Sequence, residues 1–521
     1  MTTRDALPGM DDSYWMATTP GTPWPALEDD AAADVVVIGA GMAGLSAAWE
    51  LTAAGRKVIV LEADRVAAGV TGYTTAKLTA AHSLVYGRLR RTRGRDSARW
   101  YAGSQQAAVE RVASVAAELG IDCDFERASA LTFTTDPEER AAFEAEADAA
   151  AEAGLNADFV TETDLPFTVA AAVRVADQAQ FHPRKYLLAL ADDIAARGGV
   201  IHERTRVTGL SEGSPCTVTT ERGNTVTARD VVVTTHYPVF DRALHFARLS
   251  PRRELVVAAP LPVSQAPKHM YITDDMGKRS VRTAPLGEDM RLLIVTGESF
   301  TPGTGDTSES FTPGTGDTSE RFRRLDAWMH EHFAVGPTSY RWAAQDNDVS
   351  DGVPLVGPYH PGARHVYVAT GFGGWGMSGG AMAGQLLAST LTGAAPEWAG
   401  LYDPRRLWST LREGTALLKQ QGEVARHFVG DRLRTTHVDS VAEIAPGSGA
   451  VVRVEGRRCA VYRDESGTAH AVSARCTHLG CLVAFNEAET AWECPCHGSR
   501  FGIDGEVLHG PALRPLPPRK I

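Results

Sequence analysis

Two short segments near the C-terminus carry the residues best suited to redox chemistry, Cys476-Thr-His478-Leu-Gly-Cys481 and Cys494-Pro-Cys496-His497-Gly-Ser499. A Cys-x-His pair, fifteen intervening residues and a Cys-x-x-His pair suit a two-iron, two-sulfide cluster. Cys476 and Cys494 would hold one iron as thiolates, and His478 and His497 the other as neutral imidazoles. Zinc on two cysteines and two histidines, or two disulfides among the four cysteines, are the alternatives. Neither accounts for two matched loops in this order. Cys123, Cys216 and Cys459 have no partner spacing and read as structural.

A second chemical motif lies near the N-terminus. Gly39-Ala40-Gly41-Met42-Ala43-Gly44 follows the β-branched run Asp34–Ile38 and opens an Ala/Leu-rich stretch. Glycines here permit a tight turn, backbone approach to a pyrophosphate and close helix packing, while the helix N-terminus offers N–H donors to the anion. Glu62, followed by Ala63, ends the next apolar run and can accept hydrogen bonds from ribose hydroxyls. Gly371-Phe-Gly373-Gly374-Trp375-Gly376 repeats the pattern after the strand-like His365–Ala369. No third strand ending in an acid follows it. This second turn therefore reads as a helix N-terminus aimed at another part of the same cofactor, where Gly373 to Met377 would stabilise an electron-rich ring edge.

Elements of alternating type must position these motifs. Strand-like Asp34–Ile38, Lys57–Leu61, Val200–Val207 and Asp230–Thr235 alternate with helical stretches such as Pro183–Ala196. That is the pattern of an α/β Rossmann-like domain with a mostly parallel sheet. An inserted α+β substrate domain is expected from the helical Gln105–Gly154 and the strand-like runs within Glu254–Val295. The expected organisation is an N-terminal extension, 1–30, then the α/β domain, 31–400. Within the latter, nucleotide-binding parts fall at 31–85, 155–236 and 345–400, and substrate-domain parts at 86–154 and 237–344. A helical linker, 401–434, leads to a small all-β domain, 435–521, rich in glycine and proline. The segment ESFTPGTGDTS occurs twice in tandem, at Glu298–Ser308 and Glu309–Ser319, and reads as a duplication tolerated in an exposed loop. With 52 Lys and Arg against 64 Asp and Glu, the net charge is −12, which disfavours nucleic acid and anionic membranes. The first twenty residues lack the features of a secretory signal, so a cytoplasmic protein without a membrane span is expected.

The N-terminal fingerprint, Gly69-Val-Thr71-Gly72-Tyr-Thr74-Thr75-Ala-Lys77, the QFHPRKYLLAL segment from Gln180 and the ATGFGGWGMSGG segment from Ala369 together resemble the D-amino-acid-oxidase-like superfamily of FAD oxidoreductases, which includes glycine and sarcosine oxidases and glutamylputrescine oxidoreductases. The resemblance implies a bilobal fold, bound FAD and hydride removal from a carbon bearing an amine. It assigns Gly39, Gly41, Gly44 and Glu62 to the adenosine diphosphate half, Thr71 and Gly72 to the pyrophosphate, Val207 to adenine, and Gly373 to Met377 to the isoalloxazine; Ala40, Met42, Ala43, Ala63 and Thr75 complete the expected lining. Thr234-Thr235-His236 departs from the ATG that many flavoenzymes carry there. His82, Arg282 and Trp375 are the catalytic candidates. His82 would stand near the flavin or bond to backbone, Arg282 would grip a substrate carboxylate, and Trp375 would wall the pocket.

The tail resembles a Rieske [2Fe–2S] domain of the cytochrome bc-complex type. The resemblance implies a disulfide between Cys481 and Cys496 that clamps the two loops, and a hydrogen bond from Ser499 to cluster sulfur. Phe501 stands where the respiratory pattern has a tyrosine, so one donor is missing and a lower potential is expected. Only 24 residues follow His497, too few for the mononuclear-iron domain of a Rieske oxygenase. The expected activity is dehydrogenation of an amine or amino acid, with electrons leaving singly through the cluster to an external carrier protein. Inward flow from a redox partner and a non-enzymatic redox sensor are the alternatives.

Overall fold

The computed structural model describes residues 7–240, 242–243, 245–273, 278–303, 318–406 and 440–521. Side-chain alternation along the first strand sets the layering of the first lobe. Ala31–Ile38 runs parallel to Val58–Leu61 on one side and to Thr225–Val233 on the other, and successive side chains point to opposite faces. Val35 and Val37 join a core with Leu45 and Trp49 of the helix Met42–Ala53 and Leu386 of the helix Gly376–Leu391. Val36 and Ile38 join another with Val207, Val218 and Val226. Both faces are buried, which is why this run shows no polar alternation. The sheet runs Leu355–Pro358, Val366–Thr370, Thr225–Val233, Ala31–Ile38, Val58–Leu61, Val200–His202. Only the edge strand Leu355–Pro358 is antiparallel along this path.

The second lobe is built on a ten-stranded mixed sheet. Its long strands Leu249–Pro262 and Met290–Phe300 send Leu255, Val257, Leu293 and Val295 against the helix Thr318–His332, and Val256, Ala258, Leu292 and Ile294 against Trp15 and Trp342.

Several expected boundaries move. Ala171–Gln180 pairs with Glu126–Thr134 in the second sheet, so the chain returns to the nucleotide lobe near Phe181 and not at 155. Tyr340–Val349 likewise stays in the second sheet past 345. The helix Arg95–Glu118, expected in the substrate domain, packs Tyr101, Val109 and Val112 into the core that holds Leu386. The expected strand Val200–Val207 is broken at Glu203, whose buried carboxylate accepts the amides of Trp24 and Val66. The described part of the N-terminal extension wedges between the lobes: Ser13 donates to the carbonyl of Gly72 and Trp15 Nε1 to that of Thr74. Of the expected linker, residues 407–434 lie outside the described residues, as do residues 304–317 of the duplicated segment.

The C-terminal domain is all-β. Ser448–Val454, Arg457–Arg463 and Ala469–Ser473 form one antiparallel sheet; Ala484–Asn486, Ala491–Glu493, Arg500–Phe501 and Val507–His509 form another. Among the described residues no helix is long and apolar enough to cross a membrane.

Candidate dinucleotide cavity and iron–sulfur centre

A cavity of about 530 Å³ opens at the C-terminal ends of the parallel strands, the place where open α/β sheets take ligands. Gly39 turns with φ of +105°, and a Cβ there would lie 2.6 Å from the carbonyl oxygen of Thr234. At Gly44 a Cβ would lie 1.9 Å from the carbonyl oxygen of Gly39, so the helix packs against the turn only with glycine. The amide of Met42 donates to Thr71 Oγ1 at 3.2 Å. Glu62 Oε2 accepts from the amide of Ala40 at 2.7 Å and Oε1 from that of Asp64 at 2.9 Å. Burial still pushes its carboxyl above the usual range despite both amides.

The expected FAD residues divide in three. Gly39 to Ala43, Glu62, Ala63, Thr71 and Val207 line one end of the cavity; Gly374, Gly376 and Met377 line the other. Gly44 and Gly72 act through packing, the latter against Ala67 and Met16. Thr75, Gly373 and Trp375 border a smaller adjoining pocket of about 40 Å³, which Gly374 shares. The departure at Thr234 has a local use, since its hydroxyl closes the glycine turn onto the carbonyls of Ile38 and Gly39. A cavity with a glycine turn, a helix N-terminus and the buried Glu62 carboxylate on one part of its lining, and a second helix N-terminus on another, fits a flavin dinucleotide.

The smaller pocket is polar. Lys77 reaches Ser280, Arg252 pairs with Glu254 and, at 3.1 Å, with Asp348, and Lys278 lies on the rim. Burial brings the Lys77 amine down to about 7. The catalytic candidates fall out differently. Arg282 is corrected: its guanidinium is buried and spent on the carbonyls of Thr75, Ala76 and Thr283, where it fixes the loop beside the pocket. Arg252 is the arginine that borders the pocket. His82 is buried, bonded to Tyr101 and Thr79, and stacked on Trp375 at 4.6 Å between ring centres. Burial holds its imidazole down at about 3, so it is a neutral support for Trp375. Lys77 ends the segment Gly69–Lys77, but nothing local pairs it with Arg252 as a pocket residue, because the strands that bring them together lie about 170 positions apart.

In the C-terminal domain the two motif loops close in matching turns, with Gly480 N donating to Cys476 O and Gly498 N to Cys494 O, both at 3.0 Å. Cys481 and Cys496 form a disulfide. Two buried thiols, Cys476 and Cys494, remain in contact, and the hydrogen bond between them lowers the Cys476 thiol and raises that of Cys494. The rings of His478 and His497 stand 4.9 Å apart at 86°. Ser499 is buried and bonds to the Cys476 sulfur. With the other two cysteines tied together, the matched loops leave two cysteine sulfurs in contact and two imidazoles in contact, the donor set of a Rieske centre. Phe501 is fully buried in the core around these cysteines.

The two sites share a wall. Gln345 lines the cavity and donates from Nε2 to the carbonyl of Gly498 at 2.9 Å. The His497 ring packs edge-on to Tyr237 and Phe246, at 6.1 and 5.7 Å, and Tyr237 follows the cavity-lining Thr235 and His236. Arg253 pairs with Glu489 and Glu493, which also face Arg500.

Comparison with known proteins agrees with this geometry. The model of the FAD dependent oxidoreductase (DAO) family matches residues 34–390, and that of the Rieske [2Fe-2S] domain matches residues 434–519. The chain is 32% identical over 508 residues, 97% of each chain, to the putative Rieske 2Fe-2S iron-sulfur protein YhfW of Bacillus subtilis (strain 168). Glycine oxidase from Geobacillus kaustophilus superposes with a TM-score of 0.57 at 19% identity, over 72% of this chain and 99% of that one. L-proline dehydrogenase from P. horikoshii gives 0.57 and 19%, over 74% and 99%. At that identity the two structures establish the fold alone.

Proposed function

Since the chain belongs to the FAD-dependent oxidoreductase family and carries a Rieske [2Fe–2S] domain at its C-terminal end, we propose that it oxidises the C–N bond of an amine or amino acid and relays the electrons to an external one-electron acceptor. Bound FAD supplies a two-electron hydride acceptor and the cluster a one-electron carrier, with potentials of about −150 to +300 mV for such centres. The observation that carries this reading is the wall common to the FAD cavity and the His497 loop, formed by Gln345.

The protein's own groups have defined tasks in this reaction. Thr71, whose Oγ1 accepts the Met42 amide, would face the pyrophosphate end, and Glu62 would accept from the ribose hydroxyls. Amides at Gly376 and Met377 face the other end of the cavity, where a helix N-terminus favours negative charge. Hydride leaves a neutral amine far more readily than an ammonium, and Lys77, with its amine near 7, accepts the proton that the substrate must lose. Trp375, braced by His82, walls the pocket. His478 is half-buried beside Leu479, which is 42% exposed, and this edge meets the external acceptor.

The test is anaerobic mixing of the holoprotein with a panel of amines and amino acids, following flavin absorbance and the electron paramagnetic resonance of the reduced cluster together. One compound should bleach the flavin and then raise the cluster signal. If none does while dithionite reduces both centres and a reduced carrier protein reduces the flavin, the current runs inward and the dehydrogenase reading falls.

A further inference from the structure

The Rieske domain does more than stand beside the FAD cavity. Arg500, Leu508, His509, Gly510 and Leu513 line it together with Gly41, Glu62 and Met377 of the flavoprotein lobes. His509 ends the strand Val507–His509, and its ring meets that of His236 at 5.2 Å. His236 holds a left-handed backbone, φ of 65°, a conformation of appreciable cost for a non-glycine residue that persists where its surroundings impose it. Nε2 of each imidazole is buried and makes no hydrogen bond within the protein. The same is true of Oε1 of Gln345, whose Nε2 is committed to Gly498. Buried polar atoms left open are uncommon and need a partner. Three of them, one from the Rieske domain and two from the flavoprotein lobes, surround a cavity that takes a dinucleotide rich in hydroxyls and phosphate oxygens. The charges of Arg253 and Arg500 beside His509 are taken up by Glu489 and Glu493, so what this wall offers the oxygens of a dinucleotide is hydrogen bonding and not net charge. Two further contacts hold this wall shut: Arg206 donates to the carbonyl of Val507 at 3.2 Å, and Arg253 grips Glu489.

We propose that the FAD site is composite, completed by the Rieske domain, with His509 and His236 hydrogen-bonding oxygens of the bound dinucleotide so that FAD binding and docking of the Rieske domain are one equilibrium. By linkage, whatever docks the domain tightens FAD, and FAD docks the domain to the same degree. The inference rests on the assignment of FAD to this cavity; it is independent of the substrate and of the direction of electron flow.

Hydrogen exchange on the full-length, cluster-loaded protein tests it without a substitution, by comparing flavin-stripped protein with the same sample after FAD is added. Protection at residues 39–44 reports that FAD has bound. Residues 507–513 should slow with them, by about tenfold or more. Protection at 39–44 with unchanged exchange at 507–513 overturns the proposal. A second readout is FAD release, followed by flavin fluorescence: His509→Ala should speed it about tenfold, the loss of one hydrogen bond to a charged group, and His509→Gln, which keeps a donor, should recover part of that. Equal release from all three proteins also overturns it. Should His509→Ala fail to assemble its cluster, the exchange comparison decides alone. Protection at 507–513 in a protein whose cluster stays oxidised while substrate bleaches the flavin would uphold the composite site and refute the relay.

Discussion

Replacing Arg253 with methionine tests how firmly the Rieske domain is docked. Arg253 is 1% exposed and Glu493 2% exposed; together with Glu489 and Arg500 they make a network of two guanidinium groups and two carboxylates, with Asn486 donating to both acids at 3.0 Å. Methionine keeps much of the volume and removes the charge, leaving two carboxylates against one guanidinium. Breaking a buried pair from one side costs about 3–5 kcal/mol, which is roughly two to three and a half orders of magnitude in the docking equilibrium. Hydrogen exchange over residues 299–303 reads it, because the amide of Gly303 bonds across the interface to Glu493 Oε2 at 3.1 Å. When reclosing outpaces exchange, the amide speeds up by the same factor as the opening equilibrium. Arg253→Met should therefore accelerate this amide roughly a hundredfold or more, and the double variant Arg253→Met/Glu489→Gln, which restores neutrality, should return most of it. Single and double variants that exchange alike would refute the claim that charge pairing locks the interface.

The same network fixes the sign of the pH dependence. Burial pushes the Glu493 carboxyl up, but Arg253 and Arg500 outweigh it and hold the group below its ordinary range. A carboxylate depressed on docking contributes stability that is present above its free value, about 4.3, and lost as pH falls through the depressed one. Exchange at residue 303, corrected for its intrinsic pH dependence, should be flat from neutral pH down to about 5 and rise below about 4. In Arg253→Met the larger of the two attractions is gone, and the rise should begin at higher pH.

Gly44→Ala puts a Cβ 1.9 Å from the Gly39 carbonyl oxygen, so the purified protein should carry at least about tenfold less FAD by visible absorbance while its cluster signal is kept. Lys77→Met should abolish the rise in substrate-dependent flavin reduction that the unsubstituted protein shows on passing upward through pH about 7; an unchanged pH profile removes Lys77 as the proton acceptor. Cys476→Ser should leave flavin bleaching by substrate intact and eliminate turnover with a one-electron acceptor; unchanged turnover takes the cluster out of the pathway. Phe501→Tyr adds a hydroxyl in the core around the cluster cysteines, and a new hydrogen bond to sulfur should raise the potential by roughly 40–60 mV, the equivalent of about 1 kcal/mol for one electron.

What the sequence made legible was local. Gly39, Gly44 and Glu62 announce themselves because a turn, a close contact and a carboxylate recur at fixed offsets along one strand–helix–strand unit, and the two cysteine–histidine loops do so for the same reason. Spacing carries no information on pairings between distant strands. Ala171–Gln180 looks like part of the nucleotide lobe until its partner proves to be Glu126–Thr134, and Arg282, a fair carboxylate clamp by residue type, is drawn away by the carbonyls of Thr75 and Ala76. Lys77 and Arg252 become pocket neighbours only through the second sheet. Least legible was the interface: Arg253, Glu489 and Arg500 are ordinary charged residues in sequence, and only the docked fold makes them buried partners.

That interface gives the cluster two unlike sides. His497 is covered by the chain's own Tyr237 and Phe246, whereas His478 stands half-buried near the surface beside Leu479. In the relay proposed above, electron exchange between FAD and cluster would be intramolecular, across a contact held by buried charge, and exchange with another protein would use the His478 edge. The path is the same whichever way the current runs. Direction would be a matter of relative potential, which the Ser499 hydroxyl on the Cys476 sulfur and the absence of a hydroxyl at Phe501 would tune. Raising the cluster potential with Phe501→Tyr should therefore speed transfer out of reduced flavin and slow delivery into it, whereas Cys476→Ser blocks both, a pairing that separates the route of the electrons from their direction.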